Sequence, residues 1–170
     1  DLRLFGCYQE PAATQCSSGA IGDVVVIRRQ VGTMERQHME GFLARKYGIT
    51  DQLPAEHPYR YRAGTHVPAT PPSPPNVRGG ALDIWLRTDA LSGGEIRGWA
   101  NDPACNPQYA AALTDPTLPG PVVLPERFNG RSAVQFAAQS ATAGQGLVLP
   151  VDYAASPPAA GLTVLSLIHI

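Results

Sequence analysis

Ile21-Gly22-Asp23-Val24-Val25-Val26-Ile27 is a short, β-branched and nearly uninterrupted apolar run. Its length and composition are those of a strand buried in a core. The chain then changes period. Met39, Phe42, Leu43 and Tyr47 recur at helical spacing and form one stripe, which predicts a helix over residues 34–47 facing a core. Thr33 suits the N-cap, Glu35 the first turn, Arg45 and Lys46 the last turn, and Gly48 the stop. Gly41 in the helix interior costs about 1 kcal/mol against Ala, which predicts a neighbour packed close against it.

Working outward, residues 1–31 read as strands with a loop, passing Leu2, Leu4 and Cys7 to a turn-like Ser17-Ser18-Gly19. Cys7 and Cys16 form a close pair that would bridge a hairpin or small loop in a secreted protein and stay as free thiols in the cytosol. On the other side, Pro54, Pro58, Pro68, Pro71, Pro72, Pro74 and Pro75 break any regular element between Leu53 and Gly80. This composition predicts a semi-rigid linker, centred on 61–80, between folding units. Strand signals then resume. Leu82, Ile84 and Leu86 alternate with Asp83, Trp85 and Arg87 before a Ser92-Gly93-Gly94 turn. Further short strands are expected at Ile96–Ala100, Tyr109–Leu113, Val122–Leu124, Ser132–Phe136, Gly146–Val151 and Gly161–Ile168, with Asn129-Gly130 as a tight turn. Short strands without helices between them predict an antiparallel sandwich or barrel.

Composition agrees with a globular chain. Of 170 residues, 44% are hydrophobic and 16% charged, with 17 Gly and 17 Pro, a balance suited to strands joined by turns. A net charge of -1 offers no electrostatic case for nucleic acid or an anionic membrane. No apolar run approaches the roughly 18 residues that span a bilayer as a helix.

Glu35 through Gly48, continued by Leu53-Pro54-Ala55-Glu56-His57-Pro58-Tyr59, resembles the closing segment of bacterial concanavalin A-like, laminin-G-like jelly-roll domains. There a final strand leads into a helix of the form E-R-Q-x-x-E-G-Y-L-A-x-K-x-G-L and a loop of the form L-P-x-x-H-P-Y; Ile21–Ile27 occupies the place of that strand. The second half is similar to the opening of the same family. Leu82–Asp89 resembles its first strand, Trp99-Ala100-Asn101-Asp102 its W-x-D segment, and Phe128–Phe136 its N-G-x-P-A-V-x-F hairpin. Arg87 stands where the family usually has Asp, and Ala137-Ala138 where it commonly has Asp-Gly, so an acidic ion site there is in doubt.

The resemblance implies an antiparallel jelly-roll β-sandwich of mainly β class with one accessory helix. Its order implies a tandem array: the end of one domain over 1–60, a linker over 61–80 and the front of a second domain over 81–164. Residues 165–170, Leu-Ser-Leu-Ile-His-Ile, resemble the translation of a transposon-type sequencing adapter, the alternative being an ordinary apolar strand. The chain therefore reads as a fragment, with neighbouring domains of a longer chain as partners.

Catalytic motifs are sparse: Walker A, G-x-G-x-x-G, H-E-x-x-H, G-x-S-x-G and C-x-x-C patterns are absent from the sequence. Asp83 and Asp89 do not alternate along one strand as the carboxylates of sandwich glycan hydrolases do. His38, His57 and His66 lack ligand spacing; His57 reads as packing or capping, and Cys105 as an inert thiol or the partner of a cysteine outside this chain. Trp85, Trp99, Tyr109 and Tyr153 could stack on sugar rings, with Trp99, Tyr109 and Tyr153 the ligand-binding candidates, although strand aromatics are more often core. Asn101 and Asp102 offer hard oxygens to calcium, but two adjacent donors fall short of the about six to eight that calcium takes. No cofactor is expected. The resulting expectation is a non-catalytic extracellular or cell-surface module that binds glycans or proteins. The alternatives are an accessory region of a secreted glycan-degrading enzyme and a structural repeat spacer.

Overall fold

A computed structural model describes residues 2–10, 13–60, 81–103, 105, 107–137, 145–153, 155, 158 and 161–169. The linker expected at 61–80, His66 within it, Ala138 and Ile170 lie outside the described residues. In chain order the elements are β1 (Leu2–Glu10), β2 (Ala13–Ser17), β3 (Gly19–Ile27), α1 (Thr33–Lys46), β4 (Leu82–Leu86), β5 (Gly94–Glu95) and β6 (Gly98–Trp99). They are followed by β7 (Ala111–Leu113), β8 (Val122–Phe128), β9 (Arg131–Phe136), β10 (Gly146–Leu149) and β11 (Thr163–His169).

The strands form two antiparallel sheets, one ordered β2-β1-β10-β7-β6 and the other β11-β3-β9-β8-β5, with β4 also beside β3. Leu4, Trp99, Leu147 and Leu149 from the first sheet meet Ile21, Val24, Val26, Ile84, Leu86, Val134 and Phe136 from the second in one buried core. This is the arrangement of a β-sandwich: each sheet removes the other's apolar face from water. The outer face of the second sheet is covered as well. Val25, Ile27 and Trp85 pack against Met39, with Phe42 at the margin, so α1 closes a smaller second core.

β3 is a core strand, as its apolar run predicts, and the helix leaves it buried on both faces. A bulge interrupts its alternation. Between Ile21 and Val24 the strand advances three residues while β11 advances two, from Ile168 to Ser166. The extra residue lets Ile21 and Val24 both enter the inter-sheet core and leaves Gly22 and Asp23 beside Tyr47 of the helix end. Gly22 is required there, because a Cβ would lie 2.8 Å from the Tyr47 ring.

The helix matches its predicted stripe: Met39, Leu43 and Tyr47 are buried. Its end is a Schellman motif, with Gly48 at φ 64° and Ile49 N–H donating to Ala44 O at 2.8 Å. The start differs from expectation. Gly32 is the cap residue, without a side-chain hydrogen bond, and Thr33 is already helical. Gly41 has the close neighbour its cost predicted, since a Cβ there would lie 2.5 Å from Tyr59 Cγ.

One strand expectation is corrected. Within Ile96–Ala100 only Gly98–Trp99 is strand, as β6 beside β7, while β5 begins at Gly94 of the expected turn and pairs with β8 in the other sheet. The chain crosses between sheets at Ile96-Arg97, and Ile96 fills the crossing as a core residue. Tyr109 also falls outside its expected strand, in a 3-10 turn over Pro107–Tyr109 that precedes β7. The Asn129-Gly130 turn stands as predicted, with φ of 46° and 77°, both left-handed as a two-residue hairpin requires.

Candidate functional site

Asp23 is fully buried, and its carboxylate is the most heavily hydrogen-bonded group described. Lys46 Nζ donates to both oxygens at 3.0 and 2.8 Å. Tyr47 OH donates to Oδ1 at 2.8 Å, Thr88 N–H to Oδ1 at 3.1 Å, and Trp85 Nε1 to Oδ2 at 3.2 Å. Helix, strand and the turn after β4 therefore meet on one anion. Burial, and next the Asp23 charge, push the Tyr47 phenol far above its ordinary value, so it remains a proton donor. Around the rim, Lys46 reaches Asp89 at 3.4 Å, and Arg87 spans Asp89 at 2.9 Å and Asp102 at 3.0 Å. The Arg87 guanidinium holds the Asp89 carboxyl below the usual carboxylate range. The same guanidinium sits 5.0 Å over the Trp85 ring, a cation–π contact. A buried charge so completely partnered is a fastening between elements, since each of its neighbours is committed to another protein group.

A second polar group anchors the loop after the helix. His57 Nδ1 accepts the Tyr59 N–H at 3.2 Å, which places the ring proton on Nε2, 3.1 Å from Glu40 Oε2. His57 is buried, so packing and loop anchoring is its role, as the sequence suggested.

A third centre is more open. Asp83 on β4 accepts from Tyr153 OH at 2.9 Å and pairs with Arg28 Nε at 3.2 Å. Burial, and then the Asp83 hydrogen bond, push the Tyr153 phenol well above its ordinary value; Tyr109 is near enough to add to the effect. Tyr109 and Tyr153 are both half-buried and rest on the edge of the main core, while half of the Arg28 side chain is in solvent. Two aromatic candidates from different loops are thus brought to one corner beside an ion pair.

The other sequence candidates go elsewhere. Trp99 is 1% exposed, in the core, and donates Nε1–H to Arg87 O at 3.0 Å. Asn101 clamps β4: its Oδ1 accepts from Trp85 N at 2.8 Å and its Nδ2 donates to Asp83 O at 2.9 Å. Asp102 faces Arg87, so these two oxygens serve protein partners. Among the described residues no group of three or more His, Cys, Asp or Glu could hold a metal ion. Nor is any described helix long and apolar enough to cross a membrane. Cys105 is buried, and burial followed by the Asp102 charge pushes its thiol up to about 11. Cys7 and Cys16 are register partners across β1 and β2.

Sequence reasoning passed over Asp23, Lys46 and Thr88 as a group. One signal was available: a lone carboxylate inside an apolar run must find buried partners. Comparison with protein-family models, curated proteins and solved structures returned no match for this chain.

Proposed function

We propose that this chain is a non-catalytic binding or adhesion module of the concanavalin A-like jelly-roll class, acting outside the cell or at its surface on glycans or proteins. The observation that carries this reading is the corner of Tyr109, Tyr153, Arg28 and Asp83. Half-buried tyrosines keep a rigid apolar surface available, the Tyr153 hydroxyl is held by Asp83, and the neighbouring Arg28–Asp83 pair offers donors and acceptors for hydroxyl groups. Support for the jelly-roll class comes from β3 and β4. The strand that resembles the family's last lies antiparallel beside the strand that resembles its first, as those two strands do in this fold. By contrast, the carboxylates of the Asp23 centre are saturated by lysine, arginine, phenol and backbone donors, which favours a structural use for them.

The test is a glycan-array screen of the full chain, followed by titration of the best ligand against Tyr109→Ala. Loss of one stacking face should weaken binding roughly 3- to 10-fold, equivalent to about 0.5–1.5 kcal/mol. Binding unchanged by Tyr109→Ala would move the site away from this corner. Absence of binding to any glycan, with a protein partner also missing, would favour the spacer reading.

A further inference from the structure

The tip of the β8–β9 hairpin, Phe128-Asn129-Gly130-Arg131, completes the end of α1. The last carbonyls of a helix have no partner within it. Here the turn after α1 satisfies Leu43 O, Ala44 O and Arg45 O from the N–H groups of Tyr47, Ile49 and Gly48. The next three carbonyls are taken by the hairpin. Asn129 Nδ2 donates to Tyr47 O at 2.9 Å and to Gly48 O at 3.2 Å, and Arg131 Nε donates to Lys46 O at 3.1 Å. Both partners of the Asn129 amide are acceptors only, so its nitrogen and not its oxygen must face them. The Phe128 ring meets the Tyr47 ring edge-on, with centroids 5.8 Å apart. A side chain 82 residues along the chain from Tyr47 thus serves as the cap of the helix.

The same dipeptide is chemically reactive. Asn129 and Gly130 are both exposed, and a Cβ on Gly130 would meet nothing within 4 Å, so no side chain obstructs the Gly130 nitrogen. That nitrogen can attack Cγ of Asn129. The Cγ–Nδ2 bond breaks, and the Gly130 amide proton leaves with the departing amino group as ammonia, giving a cyclic imide. Water then opens the imide at either carbonyl, leaving aspartate or isoaspartate. The nitrogen that must depart is the one held by Tyr47 O and Gly48 O. We propose that Asn129 is a deamidation site gated by the end of α1: the reaction waits for the contact between hairpin and helix to open, and its product weakens the return of that contact. The new carboxylate has no donor for the two carbonyls and sets a negative charge at the negative end of the helix dipole. Tyr47 also holds Asp23 through its hydroxyl at 2.8 Å, so loss of the cap is felt at the buried anion.

The test incubates the full chain in mildly alkaline buffer, folded and in urea, and follows aspartate and isoaspartate at position 129 by peptide mapping. Conversion in the folded chain should proceed at least roughly 10-fold more slowly, the factor expected when two ordinary hydrogen bonds must break first. Equal rates in the two states overturn the proposal, and so does a folded chain that never converts. Two variants that keep a hairpin-compatible dipeptide then separate lost donors from added charge: Asn129→Gly removes the donor alone, and Asn129→Asp is the aspartate product itself. The unfolding equilibrium constant should rise in the order wild type, Asn129→Gly, Asn129→Asp, with the last step about 2- to 5-fold. An Asn129→Asp chain as stable as wild type overturns the proposal as well, because the product would then leave the contact intact.

Discussion

The two faces of β3 are closed by different physics. Toward the opposite sheet, Ile21, Val24 and Val26 join one cluster of apolar side chains, where shape and volume decide the fit. Toward the helix, Val25 and Ile27 do the same, but Asp23 adds a buried anion with donors from three elements. An apolar face tolerates small changes of volume and register at graded cost. A buried charge does not, because each missing donor leaves a desolvated group behind. The inner face thus supplies the bulk of the burial, while the outer face specifies where the helix must sit.

The largest effect expected from this contrast is at Asp23. Asp23→Ala leaves Lys46 with only the partly exposed Asp89 and strips Trp85 Nε1–H and Thr88 N–H of their acceptor, and should cost about 3–5 kcal/mol in urea unfolding. The paired change Asp23→Leu with Lys46→Met removes both charges and should regain part of that loss, since Trp85 Nε1–H and Thr88 N–H still lack their acceptor. If the single variant costs no more than an ordinary core truncation, the contrast between the faces disappears.

Gly41→Ala comes next. The new methyl enters the Tyr59 ring, and overpacking of about 1–3 kcal/mol outweighs the roughly 1 kcal/mol gained in helix propensity. A net loss of up to about 2 kcal/mol is expected, with Tyr59 and the His57 loop displaced. A rise in melting temperature would show that the loop is not held against the helix.

Alkaline pH probes the same face. The Tyr47 phenol is raised in the folded state, so its contribution is complete below pH about 10, where unfolded tyrosine is also neutral, and falls as pH rises above that. Each further pH unit should remove about 1.4 kcal/mol per tyrosine so held. Denaturation at pH 9 and 11 compares wild type with Tyr47→Phe; the variant should show a shallower slope, keeping the part due to Tyr153 and Cys105, and equal slopes would place Tyr47 in water.

On the inner face the matching change is mild. Ile84→Val should cost about 0.5–1.5 kcal/mol, measured by the same unfolding assay. A loss as large as that of Asp23→Ala would mean the two faces are equally exacting.

The smallest conformational effect is expected at Cys7 and Cys16. Register partners in antiparallel strands have Cα atoms about 4.5–5.5 Å apart, within the disulfide range of roughly 4.4–6.8 Å. In exported protein a bridge should form with little change in fold, and intact-mass measurement before and after reduction reads it. Two free thiols in exported material would remove one support for an extracellular reading.

The elements most legible in the sequence were those set by local chemistry. The apolar run of β3, the stripe and glycine stop of α1, and the Asn129-Gly130 turn each follow from residues within a few positions of one another. β6 was read as longer than it is, and β5 was passed over, because the residues from Gly94 to Ala100 carry no mark of a switch from one sheet to the other. Tyr109 and Tyr153 could be named as candidates from their chemistry, but the bond of Tyr153 to Asp83, 70 residues away, could not.

The sequence by itself determined an antiparallel, mainly β chain with one helix, because periodicity, turn residues and capping act over short stretches. Tertiary structure alone decided that β3 would be covered on both faces, that a bulge would turn Asp23 toward the helix, and that Trp85 and Thr88 would complete its shell. Those outcomes depend on groups more than 60 residues apart meeting in a water-free interior, as in the Trp85 and Thr88 bonds to Asp23. Their energy exists only once both sheets and the helix have closed around them.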